Sequence, residues 1–193
     1  MIRFATEADL PEILEIYAPY ILNTAYSFEY TVPTMEEFTQ RFRGITAQFP
    51  WLVWEDNGHV LGYAYASRPW GRAAYSWNAE ISIYLHPSIH GQGIGRMLCA
   101  ALEHLLKLQG YRIIYSVITS DNLGSIAFHK KIGYKFIAEF PGCGHKFGRV
   151  LGTVWLEKRV DFVEYPHEFP VPCRSIVENN QKLQDILDTL SLS

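Results

Sequence analysis

At 193 residues the chain is long enough for one domain with a substantial core, and at 48% hydrophobic and 19% charged its composition is ordinary for a globular protein. A net charge of −3 provides no basic stripe and argues against a nucleic-acid partner. No run of about 18 uninterrupted apolar residues is present, so no membrane-spanning helix is expected. The chain opens on Arg3, Glu7 and Asp9 and not on an apolar signal segment. Cys99, Cys143 and Cys173 are odd in number and lack metal-type spacing. Neither a disulfide framework nor a metal site is expected, which points to a reducing, cytoplasmic setting.

Ile2 to Phe4 reads as a short strand, and Thr6 as a helix cap with Asp9 three residues on. Leu10, Ile13, Leu14, Tyr17 and Ile21 then recur at helical spacing. A polar and aromatic loop from Asn23 to Pro33 leads into a second helix near Thr34, with Glu36 and Glu37 in its first turn. Trp51 to Trp54 and Val60 to Tyr65 read as strands joined across Asp56-Asn57-Gly58, a hairpin signal. From Trp77 to Leu85 the chain alternates, with Ala79, Ile81, Ile83 and Leu85 on one face and Glu80, Ser82 and Tyr84 on the other.

A glycine-rich loop follows, then a helix from about Gly93 to Gln109 that Gly110 stops. Ile113 to Thr119 is a strand, Asp121-Asn122 starts a helix ending at Gly133, and strands follow around Tyr134 to Glu139 and Val150 to Val160. The order β-α-α-β-β-β-α-β-α-β-β predicts an α/β (α+β) domain with a mixed sheet flanked by helices. From Asp161 the composition shifts, and Pro166, Pro170 and Pro172 interrupt regular structure. Ile176, Leu183, Ile186, Leu187 and Leu190 outline a short amphipathic helix, which would dock on the domain or on a second subunit. The expected division is a domain over 1–160 and a partly helical extension over 161–193.

The loop His90-Gly91-Gln92-Gly93-Ile94-Gly95 sits between a strand and a helix. Glycines let the backbone approach a ligand closely, and amides at a helix start favour an anion such as a pyrophosphate. Arg96 adds a charge at the rim. Alone, the trio is equally consistent with a tight turn that binds nothing. An ATP-type loop would need Gly-Lys-Ser/Thr, which is absent. A dinucleotide fingerprint would need glycine where Arg96 stands, and the preceding strands resemble a meander, not a βαβ unit.

Four segments resemble the GNAT superfamily of N-acetyltransferases, and within it the phosphinothricin-acetyltransferase-like branch, over roughly residues 1 to 160. The glycine loop is similar to the family's Gln/Arg-x-x-Gly-x-Gly/Ala signature, with His90 in the Gln/Arg position. Asn122-Leu-Gly-Ser125-Ile-Ala-Phe-His129 with Gly133-Tyr134 resembles its Asn-x-x-Ser/Ala helix and following strand start. Arg72-Ala-Ala-Tyr75-Ser-Trp77-Asn-Ala-Glu80 resembles the branch's Arg-x-x-Tyr-x-Trp-x-x-Glu run, and Phe49-Pro50-Trp51-Leu52-Val53 its second strand. One departure stands out: Gly152 lies near a position where the family segment normally carries aspartate.

The resemblance implies a mostly antiparallel central sheet of about seven strands with about four helices, and acetyl-CoA as co-substrate with no metal. It implies a cofactor site of Ile83, Leu85, His90, Gly91, Gln92, Gly93, Ile94, Gly95, Arg96, Asn122 and Ser125. A backbone N–H between Ile83 and Leu85 would polarise the thioester carbonyl. Glu80 would be the base that accepts the ammonium proton of a small amine; read without the resemblance, a strand glutamate on a solvated face or in an ion pair is the plainer reading. His129 occupies the place of a tyrosine that protonates the leaving thiolate in many members, and a histidine donates near neutral pH; a helix-surface histidine is as consistent. Arg72 would hold a substrate carboxylate and Tyr75 would wall the pocket, with Phe28 covering it, although a core place is the plainer reading of Phe28.

Cys99 lies within a helix and has no histidine arrangement that would make it a nucleophile. Direct transfer in a ternary complex is therefore expected. The expected acceptor is an amino-acid-like amine of the phosphinothricin or methionine sulfoximine type. The alternatives are transfer to a protein N-terminus or a polyamine, or a non-catalytic acyl-CoA sensor. A homodimer remains an open expectation.

Overall fold

The computed structural model describes residues 1–161, 168–179 and 183–190. Local signals start its elements. After strand β1 (Ile2–Phe4), the Asp9 carboxylate accepts from Thr6 N at 2.7 Å and Thr6 Oγ1 at 3.0 Å, fixing the turn into α1 (Leu10–Asn23). Helix α2 (Met35–Thr46) opens on a reciprocal capping box. Thr34 Oγ1 accepts from Glu37 N at 3.3 Å, while the Glu37 carboxylate accepts from Thr34 N at 2.8 Å. Between β2 (Trp51–Asp56) and β3 (His59–Ser67), Asn57 and Gly58 both take positive φ, 49° and 81°, as a two-residue turn with right-handed twist demands.

The remaining elements are β4 (Asn78–Leu85), α3 (Ile94–Gln109), β5 (Ile113–Thr119), α4 (Leu123–Lys131), β6 (Lys135–Lys146) and β7 (Arg149–Arg159). The seven strands form one sheet in the order β1-β2-β3-β4-β5-β7-β6. All neighbours are antiparallel except β4 and β5. That parallel contact spans only Asn78↔Ile113, Ala79↔Ile114 and Glu80↔Tyr115, after which the two strands part. The sheet therefore carries a fork whose vertex is at Glu80.

Alternation along the strands loads both faces. On one, α1 and α2 bury Leu10, Ile13, Tyr17, Phe38 and Phe42 against Trp51, Val53 and Tyr63. On the other, α3 lays Leu98, Ala101, Leu102 and Leu105 on Leu52, Ala64, Ala79 and Ile81. Each fully buried leucine contributes about 1.5–3 kcal/mol. These residues form one apolar stripe along α3, and the sheet covers it.

Strand β6 runs to Lys146, well past the Glu139 limit expected from sequence. Pro141, Gly142 and Cys143, just past that limit, form a bulge, with a register shift between Phe140 and Gly144 and φ of 65° at Gly142. This bulge also accounts for Gly152. A Cβ there would lie 3.0 Å from the Phe140 carbonyl oxygen and 3.3 Å from Pro141 Cα, both backbone atoms that cannot swing aside. Gly152→Asp should cost about 1–3 kcal/mol. Thermal unfolding followed by circular dichroism should show Tm falling by several degrees, at about 2–4 °C per kcal/mol for a chain of this size.

The tail folds back on its own chain. Gln109 Nε2 donates to Gln48 O at 2.7 Å and Val171 O at 2.8 Å, and Phe169 stacks on Trp77 with ring centroids 4.9 Å apart. Helical structure comes in two pieces, α5 (Cys173–Asn179) and α6 (Leu183–Leu190), and Leu183 and Leu187 join the core beneath α3. Pro166 and the side chain of Leu190 lie outside the described residues.

Candidate active site

The glycine loop caps α3. Gly91 and Gly93 take φ of 77° and 82°, and Gly93 is the N-cap. His90 N donates to Pro87 O and Arg96 N to Gly93 O. Between them, the N–H groups of Gly91, Gln92, Gly93, Ile94 and Gly95 meet no acceptor among the described residues. Five consecutive free donors at the positive end of a four-turn helix form an anion cradle. Gly95 contributes only its amide. A Cβ there would make ordinary contacts, at 3.4–3.6 Å, with Leu85, Ile83 and Phe128.

A groove of about 890 Å³ runs from this loop between α3 and α4, past Arg96 and Lys131 to Glu103 and Lys158. Lys158 pairs with Glu103 at 2.6 Å, whereas Arg96 and Lys131 have no ion-pair partner among the described residues. His90 does not project into this space. Its Nε2 faces Leu85 O at 3.2 Å, an oxygen that also accepts from the Tyr20 hydroxyl at 2.7 Å. The histidine thus braces the end of β4, and the cradle is built from backbone alone.

Strand parity orients β4. His86 N donates to Leu61 O on the β3 side. Alternation then turns the N–H groups of Leu85 and Ile83 the other way, into the fork left by β5. At its vertex Glu80 lies between Ser67 on β3 and Tyr115 on β5. Its carboxylate has no hydrogen-bond or ion-pair partner among the described residues, and burial raises its pKa above the ordinary glutamate value. An unpaired, desolvated carboxylate in a cleft is costly to the fold and suited to taking up a proton.

Asn122 caps α4, its Oδ1 accepting from Ser125 N at 3.1 Å, which leaves its two amide donors free. His129 is not on the helix surface, being only 2% exposed. Its Nδ1 lies 2.9 Å from Ser125 O, so Nδ1 carries the proton and Nε2, buried and unpartnered, holds the lone pair. Burial lowers the pKa of this ring.

Arg72 and Tyr75 bracket a short 3-10 turn before β4. Arg72 is exposed and makes no ion pair among the described residues; Tyr75 packs on Trp70 at 5.1 Å. Phe28 is half-buried and seated over Gly144, where a Cβ would come within 2.2 Å of its ring. Four residues not singled out from sequence also bear on the site. Trp70 stacks on Trp155 and meets Tyr115, Glu80's neighbour, edge-on. Tyr65 pairs with Ser82 across β3 and β4, two residues along from the Ser67–Glu80 pair and on the same face. For the aromatics, the signal was the alternation of β5 and β7, which puts Tyr115 and Trp155 on the Glu80 face.

Comparison with known proteins bears on this geometry directly. A profile described as "Acetyltransferase (GNAT) domain" matches residues 2–155. A phosphinothricin N-acetyltransferase from Alcaligenes faecalis is 34% identical over 161 residues, covering 81% of either chain. An L-methionine sulfoximine/L-methionine sulfone acetyltransferase from Salmonella typhimurium is 33% identical, covering 89% of this chain and 99% of that one. The crystal structure of a phosphinothricin acetyltransferase from Sinorhizobium meliloti in complex with AcCoA superposes with a TM-score of 0.81 at 35% identity. It covers 89% of this chain and 92% of the other.

The chain belongs to the GNAT family of acetyltransferases. It is an N-acetyltransferase that uses acetyl-CoA, and the backbone cradle, the groove and its two unpaired cations fit that cofactor. Among the described residues there is no cluster of three or more potential metal ligands, and no helix is long and apolar enough to cross a membrane.

Proposed function

We propose that the protein acetylates the primary amine of a small amino-acid-like substrate, of the phosphinothricin or methionine sulfoximine type, by direct transfer in a ternary complex. The observation that carries this reading is the unpartnered Glu80 carboxylate at the fork vertex, beside β4 amides that face the opening. Acetyl-CoA supplies the acetyl group as an activated thioester. Gly91 to Gly95 hold its pyrophosphate, with Arg96, and the amide donors of Asn122 and the Ser125 hydroxyl serve its arm. The N–H groups of Ile83 and Leu85 receive the charge that develops on the carbonyl oxygen.

Glu80 accepts the proton of the substrate ammonium, which frees the lone pair for attack. His129 starts neutral, with its lone pair at Nε2. It therefore acts as an acid toward the departing sulfur only after taking up a proton. Arg72 pairs with the substrate carboxylate, while Tyr75 and Phe28 bound the acceptor side. Three free cysteines suit work in the cytoplasm.

Thiol release should be measured with methionine sulfoximine, phosphinothricin, peptides and polyamines side by side. Turnover should be highest with the free amino acids. Arg72→Ala should raise KM for these by about tenfold or more, the loss expected for a charged hydrogen bond, and leave amines without a carboxylate unchanged. Preference for peptides or polyamines, or tight acetyl-CoA binding with no turnover, would overturn the reading.

A further inference from the structure

The loop between α1 and α2 carries Phe28 and is held from the far side of the sheet. Lys146, the last residue of β6, is only 2% exposed, although lysine is among the residues least often buried. Its Nζ donates to Ile21 O at 2.7 Å and to Ser27 O at 2.6 Å. The first is a terminal carbonyl of α1 with no helical partner, and the second lies one residue before Phe28. Two further fastenings flank it. Thr119 Oγ1, at the end of β5, donates to Ala25 O at 2.8 Å, and the Tyr30 hydroxyl donates to His145 O.

The position of Lys146 is itself fixed. It precedes a two-residue turn in which Phe147 and Gly148 have φ of 52° and 69°, so the tip of the β6–β7 hairpin is a tight reversal. Two residues before Lys146, Gly144 leaves the space in which the Phe28 ring sits. The β5 arm of the fork ends at Thr119, so the fastened loop lies at its open end, away from the Glu80 vertex. The cofactor cradle, at the start of α3, includes none of these groups.

We propose that Lys146 is a positioning residue: by fastening Ile21 and Ser27 it holds Phe28 as the outer wall of the amine pocket, and so sets acceptor affinity without touching either substrate. The inference rests on the acceptor site proposed above. A buried amine fills this role better than a hydrophobic side chain, because one atom satisfies two carbonyls from separate segments and registers them against one strand end.

The test compares Lys146→Met, which keeps length and removes the donors, with wild type in steady-state kinetics and in hydrogen exchange of amides 24–33. KM for the amine should rise about tenfold or more while KM for acetyl-CoA stays within twofold, and exchange protection in 24–33 should fall. A purely structural role would lower Tm and the amount of active enzyme but leave the two KM values of the folded fraction unchanged; that result overturns the proposal. Should Lys146→Met not fold, Thr119→Val and Tyr30→Phe remove the flanking fastenings and must move the same KM ratio, or the proposal fails. If wild type acetylates no amine, the functional reading fails by itself, and the exchange data alone decide whether Lys146 latches the loop.

Discussion

Glu80→Gln is expected to lower kcat by about 10²–10⁴-fold, the usual contribution of a positioned general base, while leaving acetyl-CoA affinity within twofold. Glutamine keeps the shape and loses the ability to accept a proton. Full turnover by this variant at neutral pH would remove Glu80 from the mechanism. The same substitution should raise Tm, because the carboxylate is desolvated and no described donor compensates it. A buried carboxyl whose folded pKa lies above its unfolded value destabilises the fold once ionised, so this penalty is present at neutral pH and vanishes as pH falls below the unfolded value. Activity has the opposite dependence: kcat of wild type should fall as pH drops through a value above the ordinary glutamate range. If His129 must also be protonated, its lowered pKa adds a decline on the alkaline side, giving a narrow bell. A plateau there assigns the histidine a role that does not require the imidazolium.

Gly93→Val should weaken acetyl-CoA binding by about tenfold or more. A branched residue at a φ of 82° is strained by about 1–2 kcal/mol or more, and relief of that strain turns the amides away from the cradle. The effect belongs to KM for acetyl-CoA, with kcat at saturating cofactor largely retained. Gly95→Ala is the matched control. Gly95 has an ordinary helical φ, and its new methyl group would make only normal contacts with Leu85, Ile83 and Phe128. A binding isotherm in which the two variants weaken equally would show that conformation at Gly93 is not what holds the phosphate.

The glycine loop was legible as a cradle only through the resemblance, which joined it to Asn122 and the Arg72-to-Glu80 run; alone, the trio fitted a tight turn as well. The seven strands and their succession along the chain were equally legible, since Ile81 and Glu80 alternate and Leu98, Leu102 and Leu105 recur at helical spacing, but the insertion of β7 between β5 and β6 was not. What stayed hidden depends on contacts distant in sequence. His90 fitted a phosphate contact, yet its ring folds onto Leu85 O with Tyr20, whose hydroxyl arrives from α1. His129 read as readily as a surface residue, because burial of α4 on that side depends on Tyr134 and Phe128 around it. Lys146 carried no local signal: it ends an edge strand, where exposure is the norm for lysine. The bulge at Phe140–Gly144 looked like a strand end because proline and glycine mark both.

The fork in the sheet has a bearing on how long the protein survives. Past Glu80 and Tyr115, β4 and β5 leave two inner edges that do not pair with each other, and inner edges are templates for wrong pairing when water or another chain reaches them. Whatever fills the fork removes that hazard, and a ligand at a hundred times its Kd adds about 2.7 kcal/mol to stability, against a typical total of about 5–15 kcal/mol. Saturating acetyl-CoA should accordingly raise Tm by several degrees and slow proteolysis of the folded chain, which thermal unfolding and limited proteolysis with and without the cofactor would read.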